Sequence, residues 1–237
     1  MFYYYDTTIL ILIPAMLLAA YADHRVRKNF RRYSYVGNSR NMTGAEAARR
    51  VLDYNGLNDI RIQLIGGQLS DHYDPSERVL SLSADVYNGT SISAVGVACH
   101  EVGHAIQHSR GYIPLKLRNA IVPVTNLASS LTWPMIMIGL MLIVVGNGSM
   151  YVLGDRLFNI GALAFVVIIL FHLVTLPVEF DASRRAIKCI KEYNLLRDDE
   201  VKGAAKVLRA AAMTYIAALA VAVSNLLRIL ALRDRSE

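Results

Sequence analysis

Bilayer-length apolar runs constrain this chain more than any other feature. Residues 121–145, from Ile121 to Val145, and 157–176, from Leu157 to Leu176, are almost wholly apolar. An α-helix needs about 20 such residues to cross a bilayer core, so each run is read as a membrane span. A third run, Phe2–Tyr21, has Tyr3, Tyr4, Tyr5 and Tyr21 near its ends, where amphipathic rings anchor at the membrane interface. No basic residue precedes its apolar core, so a span is expected rather than a secretory signal peptide. A fourth run, Ala210–Leu227, contains Asn225; it is either a further span or a helix buried against the others. The 54% hydrophobic content of the 237 residues agrees with a membrane protein and exceeds what an ordinary soluble domain carries.

The charges orient these spans. Arg25, Arg27, Lys28, Arg31 and Arg32 follow Phe2–Tyr21, and Lys116 and Arg118 precede 121–145. Arg184, Arg185, Lys188 and Lys191 follow 157–176, whereas Gly146–Asp155 carries little positive charge. By the positive-inside rule the N-terminus is outside and residues 22–120 are cytoplasmic. Arg228, Arg233 and Arg235, after the fourth run, would lie outside, against the rule. These basic flanks account for the net charge of +6, and with no nucleic-acid motif present no nucleic-acid partner is expected. Two cysteines, Cys99 and Cys189, are too few for a disulfide framework and suit a reducing compartment.

Between the first two spans lies a stretch with the pattern of a small α+β domain. Thr43 and Glu46 make a capping box for a helix through Tyr54, with Gly56 as its stop. Ile60–Ile65 and Arg78–Ser83 alternate apolar and polar as strands do, with Gly66-Gly67 as a turn and Asp71–Asp74 as a polar loop. Arg78–Ser83 is either a plain core strand or an edge to which an extended peptide adds by strand pairing.

The chemistry is carried by His100-Glu101-Val102-Gly103-His104, the H-E-x-x-H pattern of zinc metalloproteases. On a helix, residues four apart share a face, so His100 and His104 can aim at one ion. Ser91 caps such a helix, Ile92, Val95, Ala98, Val102, Ala105 and Ile106 form its apolar body, and Gly111 and Pro114 stop it. Cys99 points about 100° away from His100 and is read as core packing. A structural pair of core histidines is the alternative reading. The cost of burying polar rings without a partner favours a metal.

Zinc wants a third protein ligand and leaves its fourth position to water. The candidate is Glu179, a carboxylate just beyond a span and expensive there unless paired or metal-bound. Its rivals are Asp181, which on a helix would point to the opposite side, His108, one further turn beyond His104, and His172, two turns before Glu179 within the span.

Taken together these stretches resemble the YugP-type neutral zinc metallopeptidases of bacterial membranes. The resemblance covers nearly the whole chain, including the N-terminal span, DHYDP at 71–75, VLSLSADVYNGTSISAVGVACHEVGHAIQH at 79–108 and LPVEFDASRRA at 176–186. The chain is more distantly similar to membrane zincins of the HtpX type, which take a glutamate third ligand from a later helix; that role falls on Glu179. Those proteins place an aspartate four residues after the ligand glutamate. Here the position is Ser183, which leaves Ser183 or Asp181 to support a ligand imidazole.

The resemblance implies one zinc per chain, held by His100, His104 and Glu179. Glu101 would act as general base on the attacking water, with Tyr73, Tyr87 and His72 as candidate oxyanion donors. The expected fold is an α-helical membrane protein with three to four transmembrane helices and a small α+β zincin-like cytoplasmic domain. Residues 1–22 form the N-terminal transmembrane helix and 23–118 the zincin-like domain. Residues 119–178 carry two transmembrane helices, and 179–237 the third-ligand helix and the C-terminal apolar helix. The expected activity is that of a gluzincin-like endopeptidase in a bacterial inner membrane, its site on the cytoplasmic side and its partners the lipid bilayer and a peptide or membrane-protein substrate. A site-2-type intramembrane protease is an alternative, although no L-D-G motif occurs. A zinc-binding scaffold or adaptor without turnover is another, and it would have no need of Glu101.

Overall fold

A computed structural model describes residues 7–233. Tyr3, Tyr4, Tyr5 and Arg235 lie outside the described residues, as do the first residues of the expected N-terminal span. After a short 3-10 turn at Thr7–Ile11, the elements in chain order are α1 (Ile13–Ser34), α2 (Gly44–Tyr54), β1 (Arg61–Ile65), β2 (His72–Asp74) and β3 (Val79–Ser83). They continue with α3 (Ala84–Tyr87), α4 (Ile92–Ser109), α5 (Ile113–Val145), α6 (Ser149–Glu192) and α7 (Asp198–Arg233). The fold is mostly helical, and α5, α6 and α7 are each long and apolar enough to cross a membrane.

The chain divides into two compact units. One gathers residues 7–21, Leu117–Thr175 and 215–233. Its core sets Ile136 and Ile143 of α5 against Phe158 and Phe165 of α6 and Ile229 of α7. Glycines let α5 and α6 come close: a Cβ on Gly139 would meet the Phe158 backbone nitrogen at 2.7 Å. At the end of α7, Arg233 pairs with Asp155 at 2.7 Å and donates to Asn159 Oδ1 at 2.7 Å, both near the start of α6. These two helices therefore run antiparallel within this unit.

The other unit comprises Ala22–Lys116 and Leu176–Thr214. Its apolar core joins Val51 and Leu52 of α2, Leu80 and Leu82 of β3, Val95, Ala98 and Val102 of α4, Ile190 of α6 and Leu208 of α7. The α2 capping box forms as predicted, Thr43 accepting from Glu46 N and Glu46 accepting from Thr43 N, and Gly56 ends the helix at φ 71°. The sheet order is β1-β3-β2, with β1 parallel and β2 antiparallel to β3.

Three expectations need correction. Asp71–Asp74 is not a plain loop, because His72–Asp74 pairs with Val79–Ser81 as β2. Asp71 stays irregular but accepts from both Ser83 N and Ser83 Oγ, which pins the strand's entry. The strand at 79–83 is central, so it cannot serve as a free edge for a peptide; its hydrogen-bonding groups face β1 and β2. All five of its residues are buried, and its serines are satisfied rather than solvated: Gln63 donates to Ser81 Oγ at 3.0 Å, and Ser83 donates to Asp71. Finally, Pro114 does not stop α4. It falls in the first turn of α5, where a missing N–H costs nothing. Gly111, at φ 63°, makes the break itself.

The third-ligand helix and the C-terminal apolar helix are separate elements, α6 ending at Glu192 and α7 starting at Asp198. Asn194, at φ 51°, ends α6, and Glu200 starts α7. It caps the new helix by accepting from Arg197 N, and it holds Ser39 N as well. Upstream, α6 runs unbroken through Pro177 to Glu192, so the residues of 157–176 and the candidate ligand Glu179 share one 44-residue helix.

Candidate metal centre

Two helices of the Ala22–Lys116 and Leu176–Thr214 unit build the site. Helix α4 starts where Ser91 Oγ accepts from Ala94 N. Its apolar residues face the core, Cys99 among them at 1% exposure, as its position on the helix predicts. Burial pushes the Cys99 thiol up, which keeps it an unreactive packing residue. The four-residue spacing sets His100 and His104 side by side, their rings 4.9 Å apart and nearly perpendicular.

Helix α6 supplies Glu179, 3% exposed. Its Oε2 lies 3.3 Å from His100 Nε2 and 3.7 Å from His104 Nε2. The ligand atoms of His100, His104 and Glu179 all fall within 4.8 Å of one another, and the three could hold a metal ion. The approach of the helices depends on Gly103, whose missing side chain admits the Ala182 backbone.

The donor chemistry fits zinc. Both imidazoles use Nδ1 elsewhere, His100 with Ser183 Oγ at 3.2 Å and His104 with Gln107 Oε1 at 3.0 Å. Each therefore keeps Nε2 for the common point. Two imidazole nitrogens and one carboxylate oxygen are a ligand set that zinc accepts while leaving a position open. A buried carboxylate whose ion-pair neighbours are two imidazoles is costly without a further positive charge.

Glu101, beside His100 in sequence, is 9% exposed. Burial raises its pKa above the ordinary carboxylate value; the His100 and His104 charges oppose this, while Glu179 and Asp71 add to it. Burial acts against a charge on His104, but the Glu179 and Glu101 carboxylates outweigh it and the net shift is upward.

The rivals for the third position are engaged elsewhere. Asp181 Oδ2 accepts from Gln107 Nε2 at 2.9 Å and pairs with Arg185. His108 Nδ1 meets the Tyr73 hydroxyl at 3.0 Å, and His172 packs its ring on Phe171 in the other compact unit. Of the candidate oxyanion donors, His72 is exposed and bonded to Ser70 O, and Tyr87 packs against the core. Tyr73, on β2, is the one joined to α4.

Reading the sequence left Gln107 without a role. It is 0% exposed and contacts His104, Val178 and Asp181 at once. The available signal was a long polar side chain three residues after His104, on the face that had to be buried.

A family model described as "Putative neutral zinc metallopeptidase" matches residues 8–234. The chain is 46% identical over 220 residues to "Putative membrane protease YugP" of Bacillus subtilis, covering 93% of each sequence. No solved structure matches it.

Proposed function

Since the chain belongs to the neutral zinc metallopeptidase family matched over residues 8–234, we propose that it is a membrane-embedded endopeptidase whose zinc site is His100, His104 and Glu179, with Glu101 as general base. The observation that carries this reading is the convergence of three donor atoms within 4.8 Å beside a buried carboxylate. His100 and His104 would hold the ion through Nε2 and Glu179 through a carboxylate oxygen. A bound zinc supplies a Lewis acid that polarises a scissile carbonyl and lowers the pKa of water towards ~7.

Glu101 accepts the proton of the attacking water and returns it to the leaving amine. Its burial makes it a stronger base than an exposed carboxylate, closer to what proton transfer near neutral pH requires. Tyr73 is the best supported donor to the developing oxyanion, because its hydroxyl is joined to His108 one turn beyond His104. An extended substrate segment would pair along β2, an outer strand of the sheet that carries Tyr73, since β3 is enclosed.

The same reading places residues 22–120 in the cytoplasm, on the strength of the basic flanks. It makes α7 a further span: its outer Arg233 offends the positive-inside rule less when paired with Asp155. Membrane proteins with flexible cytoplasmic segments are then the natural substrates, because confinement to one bilayer raises effective concentration.

Glu101→Gln is the decisive variant. It should keep zinc while hydrolysis of a membrane-protein substrate in detergent falls by roughly 10²–10⁴-fold, the contribution of a positioned base. A zinc-loaded Glu101→Gln with wild-type turnover would remove Glu101 from the chemistry. A wild type that binds zinc and cleaves no peptide would favour a scaffold.

A further inference from the structure

The geometry points to Gln107 as the positioning residue that selects the metal-binding tautomer of His104 and fixes the helix of Glu179 against it. This role rests on the zinc reading above. A carboxamide has one accepting end and one donating end. The donating end of Gln107 is committed twice, to the Val178 carbonyl at 2.8 Å and to Asp181 Oδ2 at 2.9 Å. Neither partner can donate in return: one is a backbone carbonyl, the other a carboxylate paired with the Arg185 guanidinium. Turning the amide over would set its oxygen against two acceptors in a fully buried position, at the cost of desolvated, unmade hydrogen bonds.

The end that faces His104 is therefore the oxygen, 3.0 Å from Nδ1. An oxygen there requires the ring proton on Nδ1, which leaves the Nε2 lone pair directed to the side of Glu179. The other imidazole has no such selector. Ser183 reaches His100 Nδ1 at 3.2 Å through a hydroxyl, which donates or accepts with equal ease.

Gln107 also acts on the third donor. Val178 precedes Glu179, so one amide bonds an imidazole of α4 and the α6 backbone one residue from the carboxylate. Behind it stand Asp181 and Arg185, whose guanidinium lies 5.7 Å from the centre of the Tyr112 ring. Asp181 thus acts through Gln107 and has no need to touch the metal.

The test uses the full-length chain in detergent, with zinc affinity read by chelator competition. Gln107→Leu keeps the bulk and loses all three bonds, and zinc affinity should fall by roughly 10–100-fold, the usual effect of losing a partner behind a ligand. Gln107→Glu keeps the bond to His104 but turns a carboxylate on Asp181, and it should weaken binding as well. Asp181 Oδ2 takes both Gln107 and the Arg185 guanidinium, so reversing donor and acceptor there also requires removing the guanidinium. Adding Asp181→Asn and Arg185→Met to Gln107→Glu lets the new amide donate to the new carboxylate. The combined variant should recover about tenfold of the lost affinity, a rescue that a merely space-filling role would not produce. If Gln107→Leu does not fold, the combined variant alone carries the test. A folded Gln107→Leu with wild-type zinc affinity, or a combined variant no better than Gln107→Glu, overturns the role of Gln107 and leaves the zinc site standing. A wild-type chain that takes up no zinc overturns both.

Discussion

Replacing Gly103 by alanine would test whether the closeness of two helices makes this site. Gly103 lies beside His104 on α4 and faces Ala182 of α6, three residues after Glu179. A Cβ there would stand 2.6 Å from the Ala182 carbonyl oxygen and 3.1 Å from Ala182 Cα. Both are backbone atoms, so no rotamer change relieves the clash. Ordinary contact begins at 3.4 Å, so the helices must part by about 0.8 Å. Alanine improves helix propensity over glycine by ~1 kcal/mol, whereas overpacking of this kind costs ~1–3 kcal/mol, for a net loss of up to about 2 kcal/mol. The effect on the site is larger than that on the fold, because the displacement separates His100 and His104 from Glu179. A misplacement of ~1 Å costs on the order of 10²-fold in rate.

We therefore expect Gly103→Ala to lose about tenfold or more in zinc affinity and about a hundredfold in peptide hydrolysis, while its melting temperature drops by only a few degrees. Gly96→Ala on the same helix is the control. Its Cβ would meet the Ala204 methyl at 3.3 Å, a contact that a few tenths of an ångström relieve. Chelator competition, hydrolysis and thermal melts on the two purified variants make the comparison. If Gly103→Ala binds zinc and turns over like Gly96→Ala, the helix approach does not set the site and the reasoning fails.

Glu179→Ala should abolish stoichiometric zinc, whereas Asp181→Ala should weaken binding and still saturate at one zinc per chain; metal analysis reversing that order would move the third ligand to Asp181. A cysteine placed at the exposed Ser76 should be shielded from a membrane-impermeant thiol reagent in intact cells, because the native Cys99 and Cys189 are buried and the domain is taken to be cytoplasmic. Labelling at Ser76→Cys without permeabilisation would invert the topology. In the zinc-free chain His104 has a raised pKa: burial opposes its charge, and the Glu179 and Glu101 carboxylates more than offset this. A raised folded-state value stabilises fully below the unfolded pKa near ~6.5 and is lost as pH climbs through the folded-state value. Glu101, also raised by burial, acts in the same direction. The melting temperature of the zinc-free protein should thus fall from about pH 6.5 upward, and His104→Ala should flatten the slope; a rise over that range would refute the assignment.

Sequence alone determined the features that depend on local spacing. Apolar runs of bilayer length announce their helices because the cost of exposing or burying them is set residue by residue. The four-residue interval of His100 and His104 places them together on any α-helix, and the Thr43–Glu46 box caps α2 through contacts within one turn. Glu179 was legible as a candidate because a carboxylate just beyond an apolar run is conspicuous. Tertiary structure decided what depends on partners far apart in the chain. Strand β3 alternates in sequence yet is buried throughout, because β1 and β2 flank it and Asp71 and Gln63 satisfy its serines. His72–Asp74 is too short and polar to signal a strand; only pairing with Val79–Ser81 makes it one. Asp181 and Glu179 are two residues apart, and which of them meets the histidines follows from how α6 docks against Gly103. Gln107 looked like an ordinary polar residue near a helix end. Its three bonds form only once Val178 and Asp181, more than seventy residues later, are brought against it. No local pattern encodes such a contact, because its energy comes from burying and pairing groups that the unfolded chain leaves in water.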